Sequence, residues 1–141
     1  MILVNHQEVY PLSEAVLQRM REELQRYTRR FGLREATVVL VDDPYITRLN
    51  QEFLGHPGPT NVLAFDLGDE AEVYVSVETT AREFGPHRLV IGLLYYAVHG
   101  LLHLSGYDHK VKSRAAEMER LQQEVLADLE RRFADEASQE S

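Results

Sequence analysis

Three of the six histidines in this chain fall within eleven residues and could share one metal ion. His99 and His103 lie in an apolar segment, residues 89 to about 104, whose pattern predicts a helix. Residues four apart project from the same helix face, about one turn apart, so both imidazoles can reach a single ion. Gly106 can adopt a positive φ and end the helix, and the chain then turns back to offer His109. The spacing therefore predicts a metal site on His99, His103 and His109.

The donor types favour zinc, with one Zn²⁺ per chain. The sequence has no cysteine, so a metal must be held by His, Asp or Glu. Calcium and magnesium prefer oxygen ligands, whereas three neutral imidazoles suit zinc. Three protein ligands leave a fourth position open for water, which is the usual form of a catalytic zinc site. We therefore expect metal-assisted hydrolysis, with the three histidines acting through the metal. A single histidine on an apolar helix is more often a hydrogen-bonded core residue, but three so close together favour a metal.

The same spacing resembles the extended zinc-peptidase pattern H-E-x-x-H-x-x-G-x-x-H. Gly100 occupies the position of the glutamate that serves such peptidases as general base. Without that carboxylate the peptidase reaction lacks its proton acceptor. A zinc hydrolase acting on a peptide or small molecule is therefore an alternative, and Gly100 counts against it.

Neighbouring polar residues have two interpretations each. Asp108 either orients a ligand histidine by accepting a hydrogen bond or is a turn acid at the surface. Thr60 and Asn61 follow a loop rich in glycine and proline. They either line the substrate cleft or cap a turn.

The charge of the chain limits how it can meet a nucleic acid. The formal net charge is −8, which argues against a generic basic coat protein, so RNA would need a locally positive face. Arg26 and Arg30 share one face of the first predicted helix, and Arg48 lies on the second. Such a row is either a solvated helix face or a path for an RNA backbone. The acidic residues cluster elsewhere, at 66–83 and in the last predicted helix.

The elements that must position these residues alternate irregularly between strand and helix. The patterns predict strands at 2–4, 36–41, 62–65 and 72–76, and helices at 13–31, 42–53, 89–104 and from about 113 onward. We predict an α+β fold, with a small mixed sheet of about four strands packed with about five helices. At 141 residues and 44% hydrophobic, the chain suits a single catalytic domain, 1–133, followed by a polar tail, 134–141.

Two segments resemble a known family. Residues 99–109 read H-G-x-L-H-L-x-G-Y-D-H, which resembles the signature of the bacterial YbeY family of metal-dependent endoribonucleases and rRNA maturation factors. Leu49-Asn50, followed by residues 59–65, resembles that family's segment L-N…P-T-[DN]-V-L-S-F. Two positions depart from the family pattern: Leu54 stands where an arginine is usual, and Ala64 where a serine is usual. Arg48, on the second predicted helix, is a candidate substitute for the missing arginine.

The resemblance implies a function and a set of partners. It implies an α+β fold, cleavage of single-stranded RNA, 3′-end maturation of small-subunit (16S) rRNA and a role in ribosome quality control. The implied partners are ribosomal RNA, the small ribosomal subunit and ribosome-assembly proteins. We expect a cytoplasmic location and neither a membrane nor DNA as partner. A further alternative is a non-catalytic ribosome-assembly factor in which the metal only joins the helix to the turn.

Overall fold

The computed structural model of this protein describes residues 1–107 and 112–133. The predicted positions Asp108 and His109 and the tail at 134–141 lie outside the described residues. The described strands are β1 (Ile2–Asn5), β2 (Thr37–Val41), β3 (Val62–Asp66) and β4 (Ala71–Ser76). The described α-helices are α1 (Glu14–Phe31), α2 (Asp43–Leu54), α3 (Val77–Phe84), α4 (Leu89–Leu104) and α5 (Lys112–Arg132), with a 3-10 turn at Pro86–Arg88.

The four strands form one mixed sheet in the order β1-β2-β4-β3. Strands β1, β2 and β4 run parallel, with Val38 facing Leu3 on one side and Val73 on the other. Strand β3 pairs antiparallel with β4 and forms one edge, with Val62 opposite Val75. The prediction of an α+β fold with a mixed four-stranded sheet and five helices is confirmed.

Local capping signals explain where the first two helices begin and end. The Ser13 hydroxyl accepts a hydrogen bond from the Val16 amide at 3.1 Å, and the Asp42 carboxylate accepts one from the Tyr45 amide at 2.9 Å. Gly32 ends α1 with φ at 63°, a left-handed conformation that glycine adopts without steric cost.

The sequence patterns did not predict helix α3. Its first turn contains the β-branched residues Val77, Thr79 and Thr80, which are typical of strands. The structure begins a helix there because the buried Ser76 hydroxyl caps the Thr79 amide at 3.3 Å. Helix α3 then packs on α4.

The two faces of the sheet are covered by different helices. Alternating residues of the inner strands, including Val38 and Leu40, belong to the main core with α1, α4 and α5. The residues between them, Val39 and Val41, pack on the other face against Ile46 of α2. Helices α2 and α4 therefore lie on opposite sides of the sheet. No helix in the described part of the chain is long and apolar enough to cross a bilayer.

Helix α4 approaches the sheet most closely at Gly100. A Cβ atom added to Gly100 would lie 2.6 Å from Cγ1 of Val73, a fully buried side chain of β4. Real Cβ atoms do not approach another carbon that closely, so only glycine fits this position without a shift of the core.

We expect Gly100→Glu, which would restore the peptidase pattern, to destabilise the fold rather than create a peptidase. The carboxylate would be forced between α4 and Val73, and an unpaired buried charge costs about 3–5 kcal/mol. Urea denaturation should show a loss of that size. The control is Gln51→Glu, which adds the same side chain at an exposed position of α2 on the other side of the sheet and should leave the unfolding free energy within about 1 kcal/mol. Equal stability of the two variants would contradict this packing account.

Candidate metal centre

The last two turns of α4 carry the two described histidines of the predicted site. His99 is half-buried and His103, one turn further along, is exposed to solvent. The helix ends at Leu104, and Gly106 follows with φ at 98°, so the predicted turn after the helix is confirmed. His109, the third predicted ligand, lies three residues after Gly106 and outside the described residues. The structure thus places two of the three imidazoles on adjacent turns of one helix.

His99 faces a cavity of about 260 Å³ between α4, α5 and the start of β3. The wall contains two aromatic side chains, one apolar side chain, two amides and the imidazole itself: Tyr95, Tyr96, Val62, Asn61, Gln122 and His99. The structure therefore brings Asn61, predicted as a cleft residue, to the same cavity as a predicted metal ligand. Thr60 directly precedes Asn61 and is partly buried.

Gln122 of α5 contacts His99 and was not identified from the sequence. Its side-chain amide is in hydrogen-bonding contact with Nδ1 of His99, and the residue is only 9% exposed. A carboxamide offers both a donor and an acceptor. The structure places the amide nitrogen of Gln122 at Nδ1 of His99; with the amide rotated by 180°, its oxygen would accept from Nδ1–H, the arrangement in which Nε2 of a histidine ring serves as a metal ligand. One signal in the sequence pointed to Gln122: it is a polar residue among Met118, Leu121 and Val125 on the apolar face of the last helix.

Glu83, also missed, fixes the other side of the cavity. Its carboxylate accepts hydrogen bonds from the Tyr96 hydroxyl at 2.8 Å and from Nδ2 of Asn61 at 3.2 Å. Partial burial, together with the hydrogen bond to Glu83, raises the pKa of Tyr96 to about 12. Tyr96 therefore stays protonated at neutral pH and acts here as a hydrogen-bond donor.

The donor set fits zinc as far as the described residues extend. No group of three or more metal-binding side chains forms within residues 1–107 and 112–133. The described part of the chain supplies two imidazoles on one face of α4, and the side-chain amide of Gln122 contacts one of them. An imidazole held through its second nitrogen is the usual arrangement of a histidine that ligates zinc.

Arg26 and Arg30, predicted as RNA contacts, are engaged by acidic residues. Arg26 forms ion pairs with Glu23 of its own helix and with Asp128 of α5, and Arg30 pairs with Glu124 of α5. The acidic last helix therefore packs along the arginines of α1 rather than away from them. These ion pairs give both arginines a structural role, and their contact with RNA stays a prediction.

Arg48 and Leu54 lie on α2, on the far side of the sheet from α4. The guanidinium of Arg48 lies 5.6 Å from the ring centroid of Tyr45, and both side chains line a separate cavity of about 650 Å³ with Asp42 and His6. Leu54 ends the helix and is 50% exposed. The structure does not bring Arg48 to the cavity that contains His99.

The fold and the two histidines on adjacent turns of α4 place the chain in a class of small α+β proteins with a candidate metal centre, and similarity to known proteins identifies the family. A solved solution structure from Thermotoga maritima matches with a TM-score of 0.62 at 27% identity, covering 99% of this chain and 97% of that one. The family model for "Endoribonuclease YbeY" matches residues 2–130. The chain therefore belongs to the YbeY family, as its motifs predicted, and the prediction of an endoribonuclease class of enzyme is confirmed.

Curated relatives with that name are similar over most of the chain. The Endoribonuclease YbeY of Moorella thermoacetica is 36% identical, over 87% of this chain and 92% of the relative. That of a Thermotoga species is 39% identical, over 70% of each chain.

We expect Asp128→Asn to lower the free energy of unfolding by about 1–3 kcal/mol at pH 7, because hydrogen bonds to a charged acceptor are lost. Asp128 accepts a hydrogen bond from the buried Tyr27 hydroxyl at 2.7 Å. Burial alone would raise the pKa of Asp128, but the hydrogen bonds from Tyr27 and Arg26 outweigh it and lower that pKa below its usual value.

A carboxylate with a lowered folded pKa stabilises the fold above its unfolded pKa, and the effect is lost as the pH falls through the folded pKa. The difference between wild type and variant in urea denaturation should thus shrink below about pH 4. Asp69→Asn, at an exposed loop position, is the control and should show little change at either pH. A difference for Asp128→Asn that does not depend on pH would contradict this account.

Proposed function

We propose that this chain is a zinc-dependent endoribonuclease that cleaves single-stranded RNA at a metal held by His99, His103 and His109. The observation that carries the proposal is the pair of imidazoles on adjacent turns of α4, one of them beside a cavity and held from behind by Gln122. Membership of the YbeY family, whose relatives are named endoribonucleases, supports metal-dependent action on RNA.

The residues around the metal have separate tasks in this proposal. When bound, zinc polarises a phosphoryl oxygen and lowers the pKa of a water molecule, which suits hydrolysis of a phosphodiester. Gln122 holds the ring of His99, and the exposed His103 faces the solvent from which RNA arrives. Asp108 orients a ligand imidazole as a hydrogen-bond acceptor. Asn61 and Thr60 contact the substrate at the cleft.

We further propose that the substrate is the 3′ end of 16S rRNA, processed on the small ribosomal subunit in the cytoplasm. The resemblance of residues 99–109 and 59–65 to the rRNA maturation family supports this assignment. The net charge of −8 supports a confined RNA contact, because most of the surface would repel a polyanion.

The packing of α4 disfavours the peptidase alternative. Gly100 leaves no room for the glutamate that a peptidase of the matching pattern uses as its base, since a Cβ there already meets Val73. No carboxylate can therefore be added at this position without displacing the core.

Removing His103 should abolish both zinc binding and RNA cleavage. We expect His103→Ala to lower cleavage of single-stranded RNA more than about 100-fold, since even loss of an outer hydrogen-bond partner of a metal site costs 10- to 100-fold. Elemental analysis should find about one zinc per wild-type chain and far less in the variant. A chelator should inhibit the wild-type protein, and casein should stay intact throughout.

The control is His87→Ala, at an exposed histidine of the 3-10 turn away from the cavity, which should retain zinc and activity. If wild-type protein cleaves casein but not RNA, the nuclease proposal is wrong and a peptidase is favoured. RNA cleavage that survives both His103→Ala and the chelator would favour the non-catalytic assembly factor.

The hydrogen bond between Gln122 and His99 should increase the affinity for zinc. Gln122→Met keeps the size of the side chain but cannot hydrogen-bond strongly to Nδ1, and we expect zinc affinity to fall about 10- to 100-fold. Gln122→Glu keeps an acceptor for Nδ1–H and should bind zinc within a few-fold of wild type. Competition with a chromophoric chelator measures both constants. Equal affinity of the methionine variant and wild type would show that Gln122 only fills space.

A further inference from the structure

Two tyrosines on α4 stand beside the candidate metal centre, and the proposed metal chemistry does not use them. Tyr95 and Tyr96 precede His99 by four and three residues and therefore share its helix face. Both are half-buried and line the cavity of about 260 Å³ that His99 faces. The cavity is thus aromatic on one side and carries a potential metal ligand on the other.

The rings are held in place before any ligand arrives. The rings of Phe84 and Tyr96 are perpendicular, with centroids 5.5 Å apart and planes at 89°, and the Tyr95 ring centroid lies 5.6 Å from that of the same phenylalanine. The Tyr96 hydroxyl is fixed by its hydrogen bond to Glu83. A surface that is already ordered loses little conformational entropy on binding, so its contacts contribute more to affinity.

Asn61 supplies polar groups next to these rings. Its Nδ2 donates to Glu83 at 3.2 Å, which anchors the side chain at the cavity wall. The side-chain oxygen Oδ1 accepts no hydrogen bond from the residues that the structure describes. The amide N–H groups of Asn61 are engaged by Glu83 and by the Tyr96 hydroxyl, so Oδ1 is the group that Asn61 offers to a ligand, and such an acceptor can bind an N–H group on the edge of a nucleobase.

We propose that Tyr95, Tyr96 and Asn61 form a subsite for one unstacked nucleobase of single-stranded RNA, adjacent to the metal centre. The proposal rests on the proposed function for its choice of RNA as the ligand. Proteins that recognise single-stranded RNA stack bases on aromatic side chains and bind their edges through polar groups. Pockets for drug-sized ligands measure about 300–1,000 Å³, so a cavity of about 260 Å³ suits one planar base rather than a folded RNA element.

The spacing along α4 connects this subsite to the site of cleavage. A helix rises about 1.5 Å per residue, so His99 lies about 4.5 Å along the axis from Tyr96. A base stacked on Tyr96 therefore brings a phosphate of its own nucleotide or the next one towards His99. The subsite would select the nucleotide at which the chain is cut.

Binding measured without hydrolysis tests the subsite. The full chain in a chelator is titrated into a fluorescent single-stranded RNA of about ten nucleotides, and anisotropy gives Kd. A series in which one base at a time is removed, leaving an abasic sugar, is measured in parallel. On wild-type protein we expect one position whose abasic form weakens binding about 5- to 150-fold, the range for loss of one stacked base.

Variants then assign that position to the tyrosines. Tyr96→Leu should weaken binding of the intact RNA about as much as removing the sensitive base, and should have no further effect on the RNA that lacks this base. Tyr96→Phe keeps the ring and should bind within a few-fold of wild type. Tyr45→Leu removes an aromatic ring on the opposite side of the sheet and should leave Kd unchanged.

Several results would overturn the subsite. If every abasic RNA binds wild-type protein with the same small loss of affinity, no single base is recognised and the subsite is overturned. This result needs no variant, so it holds even if a variant fails to fold. A loss for Tyr96→Leu that is the same on intact and abasic RNA would show that the ring acts through the fold. If one of these two results is found while zinc-dependent cleavage of RNA is retained, only the subsite is overturned. If wild-type protein neither binds nor cleaves RNA, the subsite and the proposed function are both overturned.

Discussion

Helix α4 packs so closely on strand β4 at Gly100 that no side chain fits between them, and this contact fixes the position of the candidate metal centre. Because the backbone of Gly100 lies against Val73, the side chains of the two residues next to Gly100 in the chain, His99 and Leu101, have fixed directions. Leu101 is fully buried, while His99 is turned into the cavity beside α5. Gly92, near the start of the same helix, makes a second close approach, since a Cβ there would lie 2.6 Å from Cγ2 of Thr80 in α3. A helix fixed at two points can hold a metal ligand in a constant position.

Ion pairs between α1 and α5 hold in place the helix that carries Gln122 to the candidate metal centre. Asp128 and Glu124 attach α5 to the arginines of α1, and the same helix carries Gln122 to His99. The charge of these arginines is therefore used largely within the protein. The proposed base subsite relies instead on aromatic and amide groups near the cavity, which suits a chain with a net charge of −8.

The sequence allowed prediction of whatever depends on local pattern. The bounds of α4, the turn at Gly106 and the caps at Ser13 and Asp42 all follow from residues close together in the chain. Contacts between distant residues were not predictable: Gln122 is 23 positions from His99, and Glu83 is 22 from Asn61. Helix α3 was missed because its β-branched first turn favours a strand, and tertiary packing on α4 overrides that preference.

In the proposed site, His99, His103 and His109 converge on one zinc ion. X-ray absorption at the zinc edge of the loaded protein measures the number and distance of the ligands directly. Binding by all three histidines predicts three imidazole nitrogens at about 2.0–2.1 Å from the zinc and one further oxygen. Replacing any one of the three histidines by alanine should reduce the imidazole count or release the metal. A spectrum with oxygen ligands only, or one unchanged in all three variants, would contradict the claim.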